Sequence, residues 1–183
     1  TGRPKHFEQT AFERWLDANP NGTTLLLDTI DVYMGAVHAA MAARHTCDGD
    51  EVSPALQWSG MPAGTKSYAL IVDDPDAPDP SAPQRTWVHW VLYDLPPSST
   101  GLSEGASAAT LPAGTRKGVN DWTHAGYGAP CPPTGRHRYV FKLHALGVVL
   151  ADLGKPDKAQ LLKAMAGHVL AHAELIGTYQ RGH

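Results

Sequence analysis

Long apolar runs are missing from this 183-residue sequence, and cysteine is scarce. Apolar stretches such as 146–151 are far shorter than the roughly 20 residues that a membrane-spanning helix needs. No charged segment followed by an apolar one opens the chain, so we expect a soluble protein without a transmembrane segment. The two cysteines, Cys47 and Cys131, are too few for a metal cage or a disulfide scaffold, but they can form one bridge.

Concentrated charge is also missing. The formal net charge is -3, and no run of five or six like charges marks an interaction tail. This balance excludes the basic footprint of a nucleic-acid-binding protein, so any bound anion must be held locally. The compartment stays open: the sequence favours the cytoplasm, while the cysteine pair leaves a periplasmic or secreted location as an alternative.

Several catalytic and metal motifs are absent. The loop 126–133 lacks the Gly-Lys-Ser/Thr ending of a phosphate-binding loop, and no Gly-x-Ser-x-Gly elbow marks a hydrolase nucleophile. Asp74, Asp76 and Asp79 have the first spacings of a calcium loop, but the required glycine and distal Glu are missing. We predict His168 and His172 on a helix without a catalytic Glu or a third ligand. We therefore expect no metal and no cofactor.

Glycine and proline, at 18 and 15 residues, are frequent and favour many turns and short elements over long helices. Runs of β-forming residues are separated by turn signals, which predicts a mainly β fold in one globular domain over 23–183. The predicted strands are 23–32, 55–58, 67–73, 86–95, 136–149 and 174–181.

Two segments have helical periodicity. In the first, Phe7, Ala11 and Trp15 follow each other at four-residue spacing, which predicts an N-terminal helical arm within residues 1–22. In the second, Asp157 and Gln160 form a capping pair before a stripe of Leu161, Met165 and Val169. We expect this C-terminal helix to pack on the edge of the β structure.

Two strands carry histidines. Alternation in the strand 86–95 places Trp87, His89, Val91 and Tyr93 on one face. In the next such strand, His137, Tyr139 and Phe141 share a face, and Arg138 and Lys142 lie on the other. A buried imidazole needs a hydrogen-bond partner or a cavity, so each histidine alone is more often structural than functional.

Carboxylates follow a third strand. Asp73, Asp74 and Asp76 come directly after an apolar run and before Pro78, which places them at a strand end. Carboxylates in this position can bind a metal, act as acid or base, or hold the turn together by hydrogen bonds. The sequence motif alone leaves all three readings open.

Four motifs together resemble one family. They occur in the family's order and spacing over about 30–181, and they are Thr46–Pro54, Asp74–Pro78, Trp87–Trp90 and Pro132–Tyr139. The chain is similar to the phosphatidylethanolamine-binding proteins, and within them to the bacterial and archaeal Raf-kinase-inhibitor-like branch. The resemblance implies a Greek-key fold of two antiparallel sheets with a C-terminal helix, to which the N-terminal helix is an addition.

The resemblance also implies an anion pocket. The ligand-binding residues that it carries over are Asp74, Trp87, His89, His137 and Tyr139, with Cys131 and Pro132 in the rim. It further implies that Asp76 supports the turn and that Tyr179 forms a wall. Relatives of the exported type pair cysteines at these positions, which implies a bridge between Cys47 and Cys131.

The function implied is non-enzymatic binding of phosphate, a carboxylate or phosphoethanolamine, with a kinase or protease as the protein partner that it modulates. One alternative is a hydrolase that uses Asp74, His89 and His137 as acid and base. The other is a structural protein, such as a homodimer, with a vestigial pocket. We expect Asp74 to orient a histidine and ligand affinity to increase as the pH falls.

Overall fold

The computed structural model describes residues 24–27 and 38–182, and the predicted N-terminal helical arm lies outside them. These residues form nine strands and one α-helix, which follow in chain order. They are β1 Thr24–Leu27, β2 His38–Ala40, β3 Ala55–Trp58, β4 Ser67–Asp74, β5 Trp87–Leu95, β6 Gly101–Leu102, β7 Arg116–Lys117, β8 His137–Leu146, α1 Lys158–Met165 and β9 Val169–Tyr179.

The strands form two sheets. The small sheet has the order β1-β3-β6 and the large sheet the order β2-β9-β8-β4-β5-β7. Pairing is antiparallel throughout, except that β1 runs parallel to β3 and β2 parallel to β9. The prediction of a mainly β fold with two sheets is confirmed.

The large sheet is buried on both faces along its central strand. Every residue of β4 is buried, because one face packs on the small sheet and the other packs under α1. Leu56 and Trp58 of the small sheet meet Leu70 and Phe141 of the large sheet in the first core cluster. Burial on both faces explains why β4 reads as a continuous apolar run.

The C-terminal helix α1 begins with the predicted capping box. The side chain of Asp157 accepts from the backbone N–H of Gln160, and the Gln160 side chain accepts from the backbone N–H of Asp157. Leu161 and Met165 are buried. They pack on the face of the large sheet and not on its edge, because a helix stripe buries more apolar area against a sheet face.

The predicted end of this helix is wrong. The helix ends at Met165, and Gly167 has a φ of 77°, the left-handed conformation that terminates helices. Val169 then begins β9, five residues earlier than the strand predicted at 174. His168 and His172 therefore do not share a helix. His172 instead lies opposite His144 in the pairing of β8 with β9.

A β-bulge interrupts the alternation of β5. Val72 of β4 pairs with Trp90, but the next residue, Asp73, pairs with Val88, so that His89 is the extra residue on β5. A bulge of this kind lets two consecutive side chains lie on the same side of the sheet. His89 consequently joins Trp90 on the face towards the small sheet.

The bulge corrects the predicted faces of β5. Val91 and Tyr93 do not share a face with His89, because they pack in the second core cluster under α1. Leu92 and Trp90 pack in the first cluster, on the same side as Tyr139. The two-residue period is shifted by one residue across His89 and again between Leu92 and Leu95, where the pairing with β4 has a second irregularity.

Candidate functional site

Histidines from two strands and a carboxylate from a third lie close together at one end of the large sheet. His89 lies on β5, His137 begins β8 and Asp74 ends β4. The three strands are neighbours in the order β8-β4-β5, so their ends meet. We call the side chains of Asp74, Trp87, His89, Trp122, His137 and Tyr139 the His89 cluster.

Asp74 and His137 form a buried pair. Oδ2 of Asp74 lies 2.6 Å from Nδ1 of His137, and the other oxygen, Oδ1, accepts from the backbone N–H of Asp76 at 2.8 Å. Nε2 of His137 lies 2.9 Å from the carbonyl oxygen of Thr134. That oxygen can only accept, so Nε2 carries a hydrogen.

The hydrogen-bond pattern fixes the proton count of this pair. A further proton must lie between Nδ1 and Oδ2, and the pair is neutral overall whichever atom holds it. The carboxylate charge of Asp74 is therefore balanced within the pair. Both nitrogens of His137, which the resemblance gives as a ligand-binding residue, are engaged within the protein, so neither donates to a bound anion in this arrangement.

His89 has one nitrogen committed to the fold. Its Nδ1 lies 2.7 Å from the carbonyl oxygen of Gly128, while the backbone N–H of Gly128 donates to the carbonyl of His89 at 2.8 Å. Nδ1 is thus the protonated nitrogen of the neutral ring, and Nε2 carries the lone pair. Burial lowers the pKa of His89, against the opposing effects of the Gly128 hydrogen bond and of the Asp74 charge.

Aromatic rings surround His89. Its ring centroid lies 5.1 Å from that of Tyr139 and 5.0 Å from that of Trp122, both in edge-to-face contact. Trp122 in turn contacts Trp87, with 5.2 Å between centroids, and the guanidinium of Arg85 stacks on Trp87. Trp122 is 38% exposed, so it lies at the solvent side of the cluster.

Two buried hydrogen-bond donors in the cluster have no partner among the described residues. They are Nε1 of Trp87 and the hydroxyl of Tyr139. Burial, and after it the charge of Asp74, raises the pKa of Tyr139, so its hydroxyl keeps its proton. Unpaired buried donors are costly, and in native proteins they often mark a site that a ligand or water satisfies.

The loop that carries Trp122 is organised by Asn120. Its Oδ1 accepts from the backbone N–H groups of Trp122 at 3.1 Å and His124 at 3.0 Å. Its Nδ2 donates to the carbonyl oxygens of Gly126 at 3.2 Å and His89 at 3.4 Å. Asn120 therefore ties the loop to the bulge of β5.

Gly128 is required by close packing in this loop. A Cβ at this position would lie 2.4 Å from the Trp122 ring and 3.3 Å from the Asn120 amide. The sequence predictions missed both Asn120 and Trp122. The available signal was the Asn-Asp dipeptide at 120–121, a turn-forming pair, followed by an aromatic residue in a glycine-rich loop.

Asp76 joins the end of β4 to the start of β8 through Arg138. Its Oδ2 accepts from the backbone N–H and the Nε of Arg138, both at 2.9 Å, and its Oδ1 accepts from Nη2 at 2.6 Å. These side-chain hydrogen bonds from Arg138 lower the pKa of Asp76. Arg138 neighbours His137 in sequence, so the contact also fixes the start of β8.

The proposed rim is joined to the neighbouring loop by a disulfide. Cys47 and Cys131 are bonded, and the backbone N–H of Cys47 donates to the carbonyl of Pro130 at 3.0 Å. Pro132 is buried beside the exposed Cys131.

Tyr179 lies opposite His137 in the pairing of β8 with β9. Its hydroxyl donates to Asp48 at 2.7 Å, and Arg181 donates to the same carboxylate. Tyr179 therefore secures the loop that contains Cys47, and its hydroxyl is not directed at a ligand.

Among the described residues, no group of three His, Cys, Asp or Glu side chains has the geometry of a metal site. In the same part of the chain, no helix has the length and apolar character to span a bilayer.

Comparison with known proteins places this geometry in a family. The family model of phosphatidylethanolamine-binding proteins matches residues 34–180. A UPF0098 protein of Methanothermobacter thermautotrophicus is 50% identical over 141 residues, which cover 76% of this chain and 90% of that protein.

Two crystal structures share the fold. The phosphatidylethanolamine-binding protein homolog CT736 of Chlamydia trachomatis superposes with a TM-score of 0.74 at 38% identity, covering 87% of this chain and 99% of that one. YbcL of E. coli, described as a member of the mammalian PEBP family, has a TM-score of 0.70 at 34% identity, covering 79% and 92%. The chain therefore belongs to the phosphatidylethanolamine-binding protein family.

Proposed function

We propose that this protein is a non-enzymatic binder of small anions, of the phosphate or carboxylate type, at the His89 cluster. The observation that carries the proposal is the pair of buried donors, Trp87 Nε1 and Tyr139 Oη, on two rings of the cluster. The oxygens of an anion can accept from donors of this kind, which an apolar ligand cannot do.

The charge balance of the cluster supports an anion. Asp74 is the carboxylate that belongs to the cluster, and its charge is compensated by the proton that it shares with His137. Without this pairing, Asp74 would repel a ligand oxygen at close range. The buried pair thus permits an anion to approach Tyr139, which lies beside it.

The same contacts weigh against hydrolysis. A general acid or base must exchange its proton with the substrate or with water. Both nitrogens of His137 and both oxygens of Asp74 hold other groups of the fold, which leaves His89 as the one exchangeable member of the predicted triad. A single imidazole without an activated nucleophile favours recognition over catalysis.

The ligand of the family name suggests phosphoethanolamine as the probe, and a phosphorylated or acidic side chain of a kinase or protease partner presents the same chemistry. Trp122 is exposed at the solvent side, where it contacts whatever group extends from a bound anion. A second copy of this chain is a further candidate for that contact.

Binding of phosphate, phosphoethanolamine and acetate, measured by calorimetry, tests the proposal. We expect binding to the wild type, loss of binding in His89→Ala and in Tyr139→Phe, and unchanged binding in the control His172→Ala. His172 lies on β9, and its side chain is exposed. The absence of binding by the folded wild type would leave the structural alternative, and turnover of a phosphoester that depends on His89 would establish the hydrolase.

A further inference from the structure

This inference rests on the proposed function and concerns the protonation state of the ligand. The His89 ring is held in one tautomer, because the carbonyl oxygen of Gly128 at 2.7 Å accepts from Nδ1. Gly128 itself is fixed by its return hydrogen bond to His89 and by its contact with Trp122. The neutral ring therefore presents a lone pair at Nε2, and a lone pair repels the oxygen of a fully ionised anion.

The groups around His89 come from four parts of the fold. Asp74 faces it from β4, Tyr139 from β8, and Asp121 and Trp122 from the loop after β7, while Trp87 lies on its own strand. Asp121 is occupied, since its Oδ2 accepts from the backbone N–H of Val88 and from Arg85.

Asp73 also acts on His89 through its charge, but it bonds Lys142 and Lys158. None of the three carboxylates bonds the His89 ring. Burial outweighs their combined charge and lowers the pKa of His89, which keeps the ring neutral near pH 7.

The polar atoms of the His89 cluster that have no partner among the described residues are either hydrogen-bond donors or hydrogen-bond acceptors. Tyr139 Oη and Trp87 Nε1 are unpaired donors, and His89 Nε2 is an acceptor. The rings of His89 and Tyr139 are in edge-to-face contact, so a ligand that contacts His89 Nε2 and Tyr139 Oη needs one protonated oxygen and one accepting oxygen. A phosphate monoester that retains one proton has this set, because its P–OH donates while its other oxygens accept.

We infer that the His89 cluster binds phosphate monoesters together with one proton and discriminates against phosphate diesters. A diester has no ionisable proton left near neutral pH, so its oxygens can only accept, and the lone pair of His89 is left facing one of them. An ionised carboxylate has the same defect, so acetate binds more weakly than a monoester that retains its proton. The recognised class is therefore a monoester such as free phosphoethanolamine or a phosphorylated side chain, and an intact phospholipid, which is a diester, binds more weakly.

Proton counting gives the direction of the pH dependence. A phosphate monoester loses its second proton with a pKa of about 6. Above that pH, binding must take up one proton from solvent, onto either the phosphate or His89, so affinity falls by up to about tenfold per pH unit. Below about pH 6 the ligand already carries the proton, and the affinity becomes flat.

Calorimetry with methyl phosphate and dimethyl phosphate tests the inference, because the two probes differ in this proton and in one methyl group. Titrations at about pH 5.5, 6.5 and 7.5 bracket the second ionisation of the monoester. Repeating each titration in two buffers of different ionisation enthalpy measures the number of protons taken up. We expect the wild type to prefer methyl phosphate by about tenfold or more at the middle pH and to take up about one proton at the highest pH.

The matched variants are His89→Gln, in the cluster, and His172→Gln, on the exposed side of β9. The amide introduced by His89→Gln has both an N–H donor and an oxygen acceptor, and it does not titrate. We expect His89→Gln to reduce the preference for methyl phosphate to less than about threefold and to abolish proton uptake. His172→Gln should behave like the wild type. Circular dichroism confirms that both variants are folded.

The two proposals fail in different ways. If the wild type binds neither probe nor inorganic phosphate at any of these pH values, the proposed function is wrong. If it binds both probes equally and without proton uptake, the anion site stands and the selection of a protonated monoester is wrong.

Discussion

Asp74 and His137 engage each other's polar atoms within the sheet, with 2.6 Å between Oδ2 and Nδ1, and their side chains are 5% and 1% exposed. Because the pair carries one shared proton, an amide can replace the carboxylate without leaving a buried charge. In Asp74→Asn, the amide N–H can donate to Nδ1 of neutral His137, and the amide oxygen can accept from the N–H of Asp76.

Substitution at Asp74 tests this account by equilibrium unfolding. We expect Asp74→Asn to lose about 1 kcal/mol and Asp74→Ala about 3 kcal/mol, because the alanine leaves two buried groups unpaired. In His137→Ala the loss should be similar to that of Asp74→Ala, and the double alanine variant should cost less than the sum. Additive losses in that cycle would show that the two side chains do not act as a pair.

The contact of Asp76 with Arg138 predicts a stability change in acid. The side-chain hydrogen bonds of Arg138 lower the pKa of Asp76 below its ordinary value of 3.8. A group whose pKa is depressed by folding contributes stability above its unfolded pKa and loses it as the pH falls through the folded one. We expect Asp76→Asn to cost about 2 kcal/mol at pH 7 and progressively less below about pH 4.

Urea unfolding at a series of pH values measures the difference between wild type and Asp76→Asn. Asp50→Asn is the control, because Asp50 is exposed. A difference that stays constant from neutral pH to about pH 2 would show that the ionised carboxylate is not what stabilises the turn.

His144 predicts a second loss of stability in acid, caused by a histidine that folding keeps neutral. Burial, followed by the charges of His172 and Lys142, lowers the pKa of His144 to about 4. Between its ordinary pKa of 6.5 and that value, the unfolded chain binds a proton that the folded chain does not, so stability is lost as the pH falls. Nε2 of His144 is also buried without a partner, so substitution should cost little at neutral pH.

We expect His144→Gln to change stability by about 1 kcal/mol or less at pH 7 and to lose less stability than the wild type between pH 6.5 and 4. Thermal unfolding across that interval is the measurement, and His168→Gln, at an exposed histidine, is the matched control. Parallel curves for wild type and His144→Gln would contradict the prediction.

The disulfide between Cys47 and Cys131 predicts sensitivity to reductant. It closes a loop of 84 residues, for which the chain-entropy model gives about 4.5 kcal/mol of stabilisation. We expect the double variant Cys47→Ser with Cys131→Ser to unfold at lower temperature than the wild type and to be indifferent to reductant. Equal unfolding temperatures for oxidised and reduced wild type would show that the bridge does not stabilise the fold.

The elements predicted well from sequence are those with an uninterrupted pattern. Strand β3 has its predicted limits, Ala55–Trp58, and the Asp157 capping box begins α1. The shared face of His137, Tyr139 and Phe141 is confirmed by their burial, since β8 keeps its two-residue period from His137 onward.

The failures have local physical causes. The apolar stripe continued through Val169, but the left-handed Gly167 ended the helix and the same apolar residues entered β9. The extra residue at His89 follows from pairing with β4, which no pattern within β5 reveals. Trp122 and Asn120 lie in an irregular loop. Hydrophobic periodicity carries no information there, because tertiary hydrogen bonds determine the position of each residue.

The bulge in β5 has a consequence for engineering the chain. Deleting one residue between Val88 and Trp90 would restore a regular ladder with β4, which is the usual way to straighten and stabilise a strand. Here the regular strand would have no place for an imidazole on the aromatic side without turning Trp90 towards the helix. The irregularity therefore lets a polar ring and a core tryptophan occupy consecutive positions on one surface, and a regular strand would remove His89 from the cluster that we propose as the anion site.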